Sequence, residues 1–351
     1  MRRVVLVVPG RLATRTGGYL YEQRMVDGLR GSGWAVDVVE LDPSFPLPTP
    51  AALDHAAQVV ADMPDGTTML VDGLAFGAMP AVLAHAAARL SIVGLIHLPL
   101  AAAVGLDAAA VLRFELSERR SLEAARLIIV TGHATLPLLG RHGLHHARIV
   151  VVEPGTAPAP LAHGSRDGRV QVLSVATLAP GKGHETLLEA LASMPDGNWR
   201  LTCAGSLTRH PETAAAVRAA VRRLRLDDRV SLVGDLDALA LAACYDGADV
   251  FALATERETY GMAVAEALAR GLPVVSTETG AIPDLVGDDA GLLVPPGDAA
   301  AFARALALVV GDSDLRTRLA AGARRARASL PDWEHATAKM ADALSSLDAH
   351  V

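Results

Sequence analysis

Two carboxylates, Glu258 and Glu266, flank a glycine that opens a helical segment (ETYGMAVAE). Met262 to Arg270 (MAVAEALAR) is rich in strong helix formers, so the amides near Gly261 and Met262 lie at a helix start and can receive an anion. Glu266 falls a little over one turn inside that helix, and Glu258 in the loop ahead of it. A carboxylate accepts hydrogen bonds from sugar hydroxyls and repels phosphate, so this arrangement suits a ligand whose hydroxyls flank a phosphate. The plain reading is that the dipole favours acidic residues near any helix start.

A second segment, Ala176 to His184 (ATLAPGKGH), joins a strand to a helix beginning near His184 or Glu185. Lys182 can carry a positive charge to a phosphate at the mouth of a sheet. The spacing is not that of a P-loop, since Ala176 stands where the first glycine belongs and Gly183 where the hydroxyl residue belongs. A Gly-Lys-Gly turn is also an ordinary exposed connection.

The elements that must position these residues follow from hydrophobic runs. Val4–Val8, Val36–Leu41, Thr68–Val71, Ser91–His97, Arg126–Val130 and Ala147–Val152 are rich in Val, Ile and Leu, continuous rather than alternating in hydrophobicity, with helical patterns between them. Strands of that kind are buried on both faces, which implies a parallel sheet covered by helices. The rhythm pauses at Glu153–Gly168, with three prolines and three glycines, which suits an extended connection. It resumes with Val170–Val175, Trp199–Ala204, Arg229–Val233, Asp249–Ala252, Pro273–Ser276 and Leu292–Val294. Two α/β sheets in series are the expected architecture. After Pro296 the chain reads as helices, the last of which carries Trp333 and Met340 and is free to pack outside the second domain.

The 351 residues carry a net charge of −7 and are 51% hydrophobic, so global disorder is excluded and a nucleic-acid partner disfavoured. Arginines cluster at Arg218, Arg222, Arg223 and Arg225, and from Arg316 to Arg327; the first set sits opposite a Val217, Val221 and Leu224 stripe, as a solvated face. They leave room for weak peripheral contact with anionic lipid. Cys203 and Cys244 make no CxxC pair, which points away from a disulfide framework and towards a reducing cytoplasm. The apolar start ends at Pro9-Gly10, too soon for a signal peptide. Leu95–Leu112, broken by Pro99 and Asp107, falls short of the roughly 20 residues of a membrane span.

Taken in order, these segments resemble the family 4 retaining glycosyltransferases, also called glycosyl transferases group 1. The likeness rests on Thr16-Gly17-Gly18 after the first strand, His97-Leu-Pro-Leu after the fourth and Val152-Glu-Pro-Gly before the connection. It continues in Lys182-Gly183, the Glu258 and Glu266 pair, Gly271-Leu-Pro-Val-Val, Gly280-Ala-Ile-Pro-Asp-Leu-Val and Gly291-Leu-Leu-Val-Pro-Pro-Gly-Asp. The resemblance implies a GT-B fold, in which two Rossmann-like parallel-sheet domains face a central cleft and the last helix crosses back to the first domain. The expected limits are 1–155 for the acceptor domain, 156–167 for a linker, 168–330 for the nucleotide-sugar domain and 331–351 for the crossover helix.

The resemblance also implies roles. Glu258 would hold donor-sugar hydroxyls and Glu266 the ribose. Lys182 would bind the diphosphate, and the amides of Gly261 and Met262 the leaving phosphate. Gly17 and Gly18 would let a first-domain loop come close to donor and acceptor, and His97 would stand at the reaction centre with Glu258. Acceptor contacts would come from loops such as Thr14–Tyr21 and Gly73–Met79. The expected partners are a nucleotide-diphosphate sugar and a small-molecule or lipid-linked acceptor, with no cofactor and no metal.

One departure stands out. The family commonly has an arginine where this chain has Thr177, and relatives with Thr there often carry a basic residue at the place of Gly181. The diphosphate is left with Lys182 as its obvious cation, unless Arg209 or Arg257 compensates. Asp235-Leu-Asp237 spells the DxD of metal-dependent transferases of another fold, but Asp237 fits better as the N-cap of a helix from Ala238. His145-His146 reads as a surface turn. The competing functions are a nucleotide-sugar epimerase and a non-catalytic protein that binds nucleotide sugars.

Overall fold

A computed structural model of the chain describes residues 2–140, 148–194 and 198–347. They form two compact units: Met1–Gly155 with Pro331–Val351, and Thr156–Leu330.

The first unit holds β1 (Arg3–Pro9), β2 (Ala35–Leu41), β3 (Thr68–Asp72), β4 (Ser91–Ile96), β5 (Leu127–Val130) and β6 (Arg148–Val151). They lie in the order β2-β1-β3-β4-β5-β6, all parallel. Its helices are α1 (Gly17–Gly31), α2 (Pro50–Ala61), α3 (Gly73–Phe76), α4 (Pro80–Ala86), α5 (Ala108–Ala124) and α6 (Leu136–Gly140). The central strands are buried along their length, whereas the edge strand β2 keeps outward residues exposed. Because β2 and β3 lie on opposite sides of β1, the chain direction reverses there, and the carboxyl ends of β1 and β3 border the crevice that such sheets leave for ligands.

Two segments read as loops are mainly helical. Thr16 caps α1, so Gly17 and Gly18 form its first turn rather than a flexible loop. Asp72 caps α3 by accepting the Leu74 amide at 2.9 Å, which draws Gly73–Phe76 into a helix. In both places a side-chain acceptor pairs an amide that a loop would leave unpaired.

The second unit holds β7 (Val170–Val175), β8 (Trp199–Ala204), β9 (Val230–Gly234), β10 (Val250–Leu253), β11 (Val274–Thr277) and β12 (Gly291–Val294), ordered β12-β11-β10-β7-β8-β9 and again parallel. Around the sheet lie α7 (His184–Ala192), α8 (Pro211–Arg223), α9 (Ala238–Asp246), α10 (Met262–Ala269), α11 (Ile282–Val286), α12 (Ala299–Gly311) and α13 (Ser313–Ala326). Val172, Val250 and Ala252 enter one core cluster and Leu173, Phe251 and Leu253 the other, so the sheet is covered on both faces. Its reversal lies between β7 and β10. Residues 156–165 have no regular element and are tied to this unit, Ala162 N–H to the Arg270 carbonyl and His163 N–H to that of Asp246, both at 2.9 Å.

The last helix, α14 (Trp333–Ser345), belongs to the first unit and packs on α1, burying Ala336, Met340, Ala343 and Leu344. Trp333 meets the Tyr21 ring edge-on at 6.1 Å between centroids. Among the described residues no helix is long and apolar enough to cross a membrane.

Candidate functional site

In the second unit the chemistry gathers at the β7–β10 reversal. Lys182 lies on the segment after β7 and Glu258 on the segment after β10. Neighbouring strands bring these residues, 76 positions apart, into an ion pair with Lys182 Nζ 2.7 Å from Glu258 Oε2. The side chains are 29% and 19% exposed. The two segments are fastened to each other: Glu256 N–H donates to the Gly181 carbonyl at 2.7 Å, and the Thr255 hydroxyl lies 3.2 Å from the same oxygen. Gly183 stands at φ +69°, and a Cβ there would lie 1.9 Å from the Ala254 carbonyl oxygen. Only glycine allows that approach. Below Lys182, His184 is buried, and burial together with the Lys182 charge pushes its imidazole down to about 4.

Glu266 projects from α10 and is held from the side. The Tyr245 hydroxyl, on α9, donates to Glu266 Oε2 at 2.9 Å and lies 3.2 Å from the Ala263 carbonyl. Burial and the neighbouring Glu266 charge raise the Tyr245 phenol well above its ordinary value, so it stays a donor. The Arg270 guanidinium covers the Tyr245 ring at 4.3 Å. Gly261, at φ +101°, is the N-cap of α10 with no side-chain cap, and Met262 is its first helical residue. The amides marked out in the sequence are thus at the helix start, one loop from the Lys182 and Glu258 pair.

In the first unit the carboxyl ends of β3 and β4 meet α1. His97 follows β4 with its Nε2 buried, 3.8 Å from Glu22 Oε1 on α1 and 3.9 Å from Asp72 Oδ2 at the end of β3. Gly18 lies against the imidazole, where a Cβ would stand 3.3 Å from His97 Cδ2, and Gly17 is exposed. Tyr21 presents its ring edge-on to His97 at 5.3 Å, and its hydroxyl donates to the Val152 carbonyl at 2.9 Å. Burial pushes Glu22 up to about 8. Burial, then the neighbouring Glu22, holds Asp72 well above the usual carboxylate range. Burial lowers the His97 imidazole, with Asp72 acting against the shift.

Among the described residues Glu22, Asp72 and His97 are the group of metal-ligand types whose candidate atoms lie within 4.8 Å of one another. Ligation requires deprotonated carboxylates, and burial here favours the protonated form. Asp237 accepts the Ala240 amide at 2.8 Å and caps α9. His145 and His146 lie outside the described residues.

Sequence reading missed Glu22, Asp72 and Tyr245. Asp72 had a signal, since it ends one strand as His97 follows the next. Glu22 and Tyr245 sit inside helical patterns and carried none. Of the two arginines considered as extra cations, both are exposed, and Arg257 supplies its carbonyl to Thr255 at 3.0 Å. In the other cluster Arg316 and Arg327 donate to backbone carbonyls, of Val309 and Val310 and of Ala159.

A family model described as glycosyl transferases group 1 matches residues 160–326. The D-inositol 3-phosphate glycosyltransferase of Xylanimonas cellulosilytica is 35% identical over 176 residues, 50% of this chain and 40% of the relative. That of Kineococcus radiotolerans is 33% identical over 244 residues, 60% and 55% of the two. The chain spans about half the length of the curated relatives it matches. Among solved structures, sucrose-phosphate synthase from Thermosynechococcus elongatus has a TM-score of 0.83 over 100% of both chains at 23% identity. HepE of Anabaena, solved with UDP-glucose, has a TM-score of 0.73 at 18% identity, over 97% of this chain and 99% of its own. The fold they share with this chain is GT-B.

Proposed function

We propose, for a chain whose second unit belongs to the glycosyl transferases group 1 family, that it moves a sugar from a nucleotide-diphosphate donor to an acceptor with retention at the anomeric carbon. The observation that carries this reading is the Lys182 and Glu258 pair beside the start of α10. A cation, a helix N-terminus and two carboxylates are what a diphosphate flanked by two hydroxyl-bearing rings requires.

On donor binding Lys182 exchanges Glu258 for the diphosphate, which leaves Glu258 to accept from sugar hydroxyls. The amides of Gly261 and Met262 hold the charge that grows on the departing phosphate. Glu266, oriented by Tyr245, accepts from the ribose. His97, against Gly18, is the first unit's candidate for action on the reacting sugar, as the family resemblance implies. Front-face departure and attack, as in family 4, need no covalent enzyme intermediate, and Lys182 with the helix start does the charge work of a metal. The free thiols of Cys203 and Cys244 suit a cytoplasmic site of action. The acceptor is a small-molecule or lipid-linked hydroxyl, and the relatives' names make D-inositol 3-phosphate the first to try.

The test is incubation with UDP-glucose and a panel of other nucleotide sugars, with and without D-inositol 3-phosphate, in excess EDTA. Released nucleotide diphosphate is followed, and the product's anomeric configuration is read by NMR. Acceptor-dependent release with an unchanged anomeric configuration is expected. Epimerised donor without release would identify an epimerase, and binding without either would identify a non-catalytic nucleotide-sugar binder. Loss of turnover in EDTA, restored by Mn²⁺, would refute metal independence.

A further inference from the structure

Glu22 is fully buried, and both of its carboxylate oxygens lack a hydrogen-bond partner. Asp72 is also buried; one oxygen accepts the Leu74 amide and the other faces His97. The candidate atoms of the two carboxyls and the imidazole lie within 4.8 Å of one another. The groups that face this cluster are Tyr21 and Glu22 from α1, Asp72 from the end of β3 and His97 from the end of β4. No lysine or arginine pairs with either carboxyl among the described residues. Two desolvated carboxylates side by side repel each other, and among the described residues no lysine or arginine offsets their charge.

We infer that Glu22 and Asp72 hold one proton between them, and that the remaining negative charge fixes His97 as the neutral tautomer with N–H at Nε2. They are positioning residues for His97, and this role rests on the reading of His97 as the group that faces the donor sugar. An Nε2–H directed at a shared anion leaves Nδ1 as an acceptor, so His97 offers a lone pair to a hydroxyl. The alternatives are chemically distinct. Two protons on the pair would turn Nε2 into an acceptor and put the proton on Nδ1. No proton on the pair would draw His97 into the imidazolium form. The burial of Glu22 and Asp72, each raised above the usual carboxylate range chiefly by desolvation, favours retention of the proton at neutral pH.

The test uses the full chain labelled with ¹⁵N-histidine, with the His97 signals assigned by their loss in His97→Asn. At pH 7 long-range ¹H–¹⁵N correlation is expected to show a protonated Nε2 and a bare Nδ1. The double variant Glu22→Gln/Asp72→Asn removes the shared anion and leaves amides able to donate to Nε2, and is expected to move the proton towards Nδ1. Turnover should fall with little change in donor KM, because the donor-holding residues of the second unit are intact. If the double variant does not fold, the wild-type titration decides: the His97 resonances should respond to one ionisation on the alkaline side of neutrality and stay neutral down to mildly acidic pH. An Nδ1–H tautomer or an imidazolium in the wild type would overturn the inference, as would a tautomer that Glu22→Gln/Asp72→Asn leaves unchanged. So would one equivalent of transition metal in the purified protein that Glu22→Gln removes. Failure of every nucleoside diphosphate in a panel to raise Tm would count against the proposed function alone, since the tautomer is read without any ligand.

Discussion

On the role proposed for Lys182, it cannot hold Glu258 and a diphosphate equally well, so replacing Glu258 with Gln is expected to affect nucleoside diphosphate and intact donor differently. Nucleoside diphosphate must compete with the carboxylate 2.7 Å from Lys182 Nζ. Two anions on one ammonium have charge centres roughly 5 Å apart, and their repulsion is about 0.8 kcal/mol at the dielectric of water and about 3 kcal/mol at an effective value near 20. The side chains are 29% and 19% exposed, so the gain should lie towards the lower figure, about 1 kcal/mol or roughly fivefold tighter UDP. The intact donor should bind no better than before, because the amide is a poorer acceptor for the sugar hydroxyls and the lost contact offsets the relieved repulsion. Isothermal titration with UDP and with UDP-glucose reads both effects. The UDP gain should shrink between 0.05 M and 0.5 M NaCl, where screening of exposed charges strengthens. If Glu258→Gln leaves UDP affinity unchanged or weakens it while the fold is intact, the diphosphate does not use Lys182 and the site is misassigned.

Tyr245→Phe removes the 2.9 Å hydrogen bond to Glu266 and should weaken UDP by about tenfold, roughly 1.4 kcal/mol for a charge-assisted bond, as read by titration calorimetry. Gly183→Ala forces a Cβ against the Ala254 carbonyl at φ +69° and should lower the free energy of unfolding by roughly 2 kcal/mol or more, seen as a drop in denaturation midpoint. Gly181→Arg would add a cation near the diphosphate, but Gly181 stands at φ +78°, so tighter UDP binding should come with a stability loss of about 1 kcal/mol. Glu22 has a folded-state value of about 8 against an ordinary 4.5, so the native state holds the proton that the unfolded chain releases between those pH values. Stability should therefore fall as pH rises from about 4.5 through about 8 and level off above, and Glu22→Gln should flatten that slope in denaturant titrations.

Twelve runs rich in Val, Ile and Leu match the twelve strands of the described residues, because the inner strands are buried on both faces, while the edge strands β2 and β9 keep exposed positions. Pairing order is another matter, since no residue of β7 states that its neighbour will be β10 rather than β9. That adjacency makes the Lys182 and Glu258 pair, which is why each residue was legible alone and their contact was not. Gly261 and Met262 were legible because helix formers after a loop fix a helix start locally. The resemblance puts Gly17 and Gly18 in a loop that approaches the substrates, whereas the Thr16 cap and packing against His97 draw them into the first turn of α1. Glu22 stayed hidden because a lone acidic residue in an amphipathic helix ordinarily faces water.

The first unit is built from the two ends of the chain, with residues 156–330 emerging between them. During synthesis Lys182, Glu258 and Glu266 are therefore made before α14. The first unit must wait for Trp333, whose ring backs Tyr21, which in turn backs His97. A chain truncated before Trp333 would keep Lys182, Glu258 and Glu266 while His97 lacked this support, so on the roles proposed above such a truncation would separate donor binding from support of the histidine.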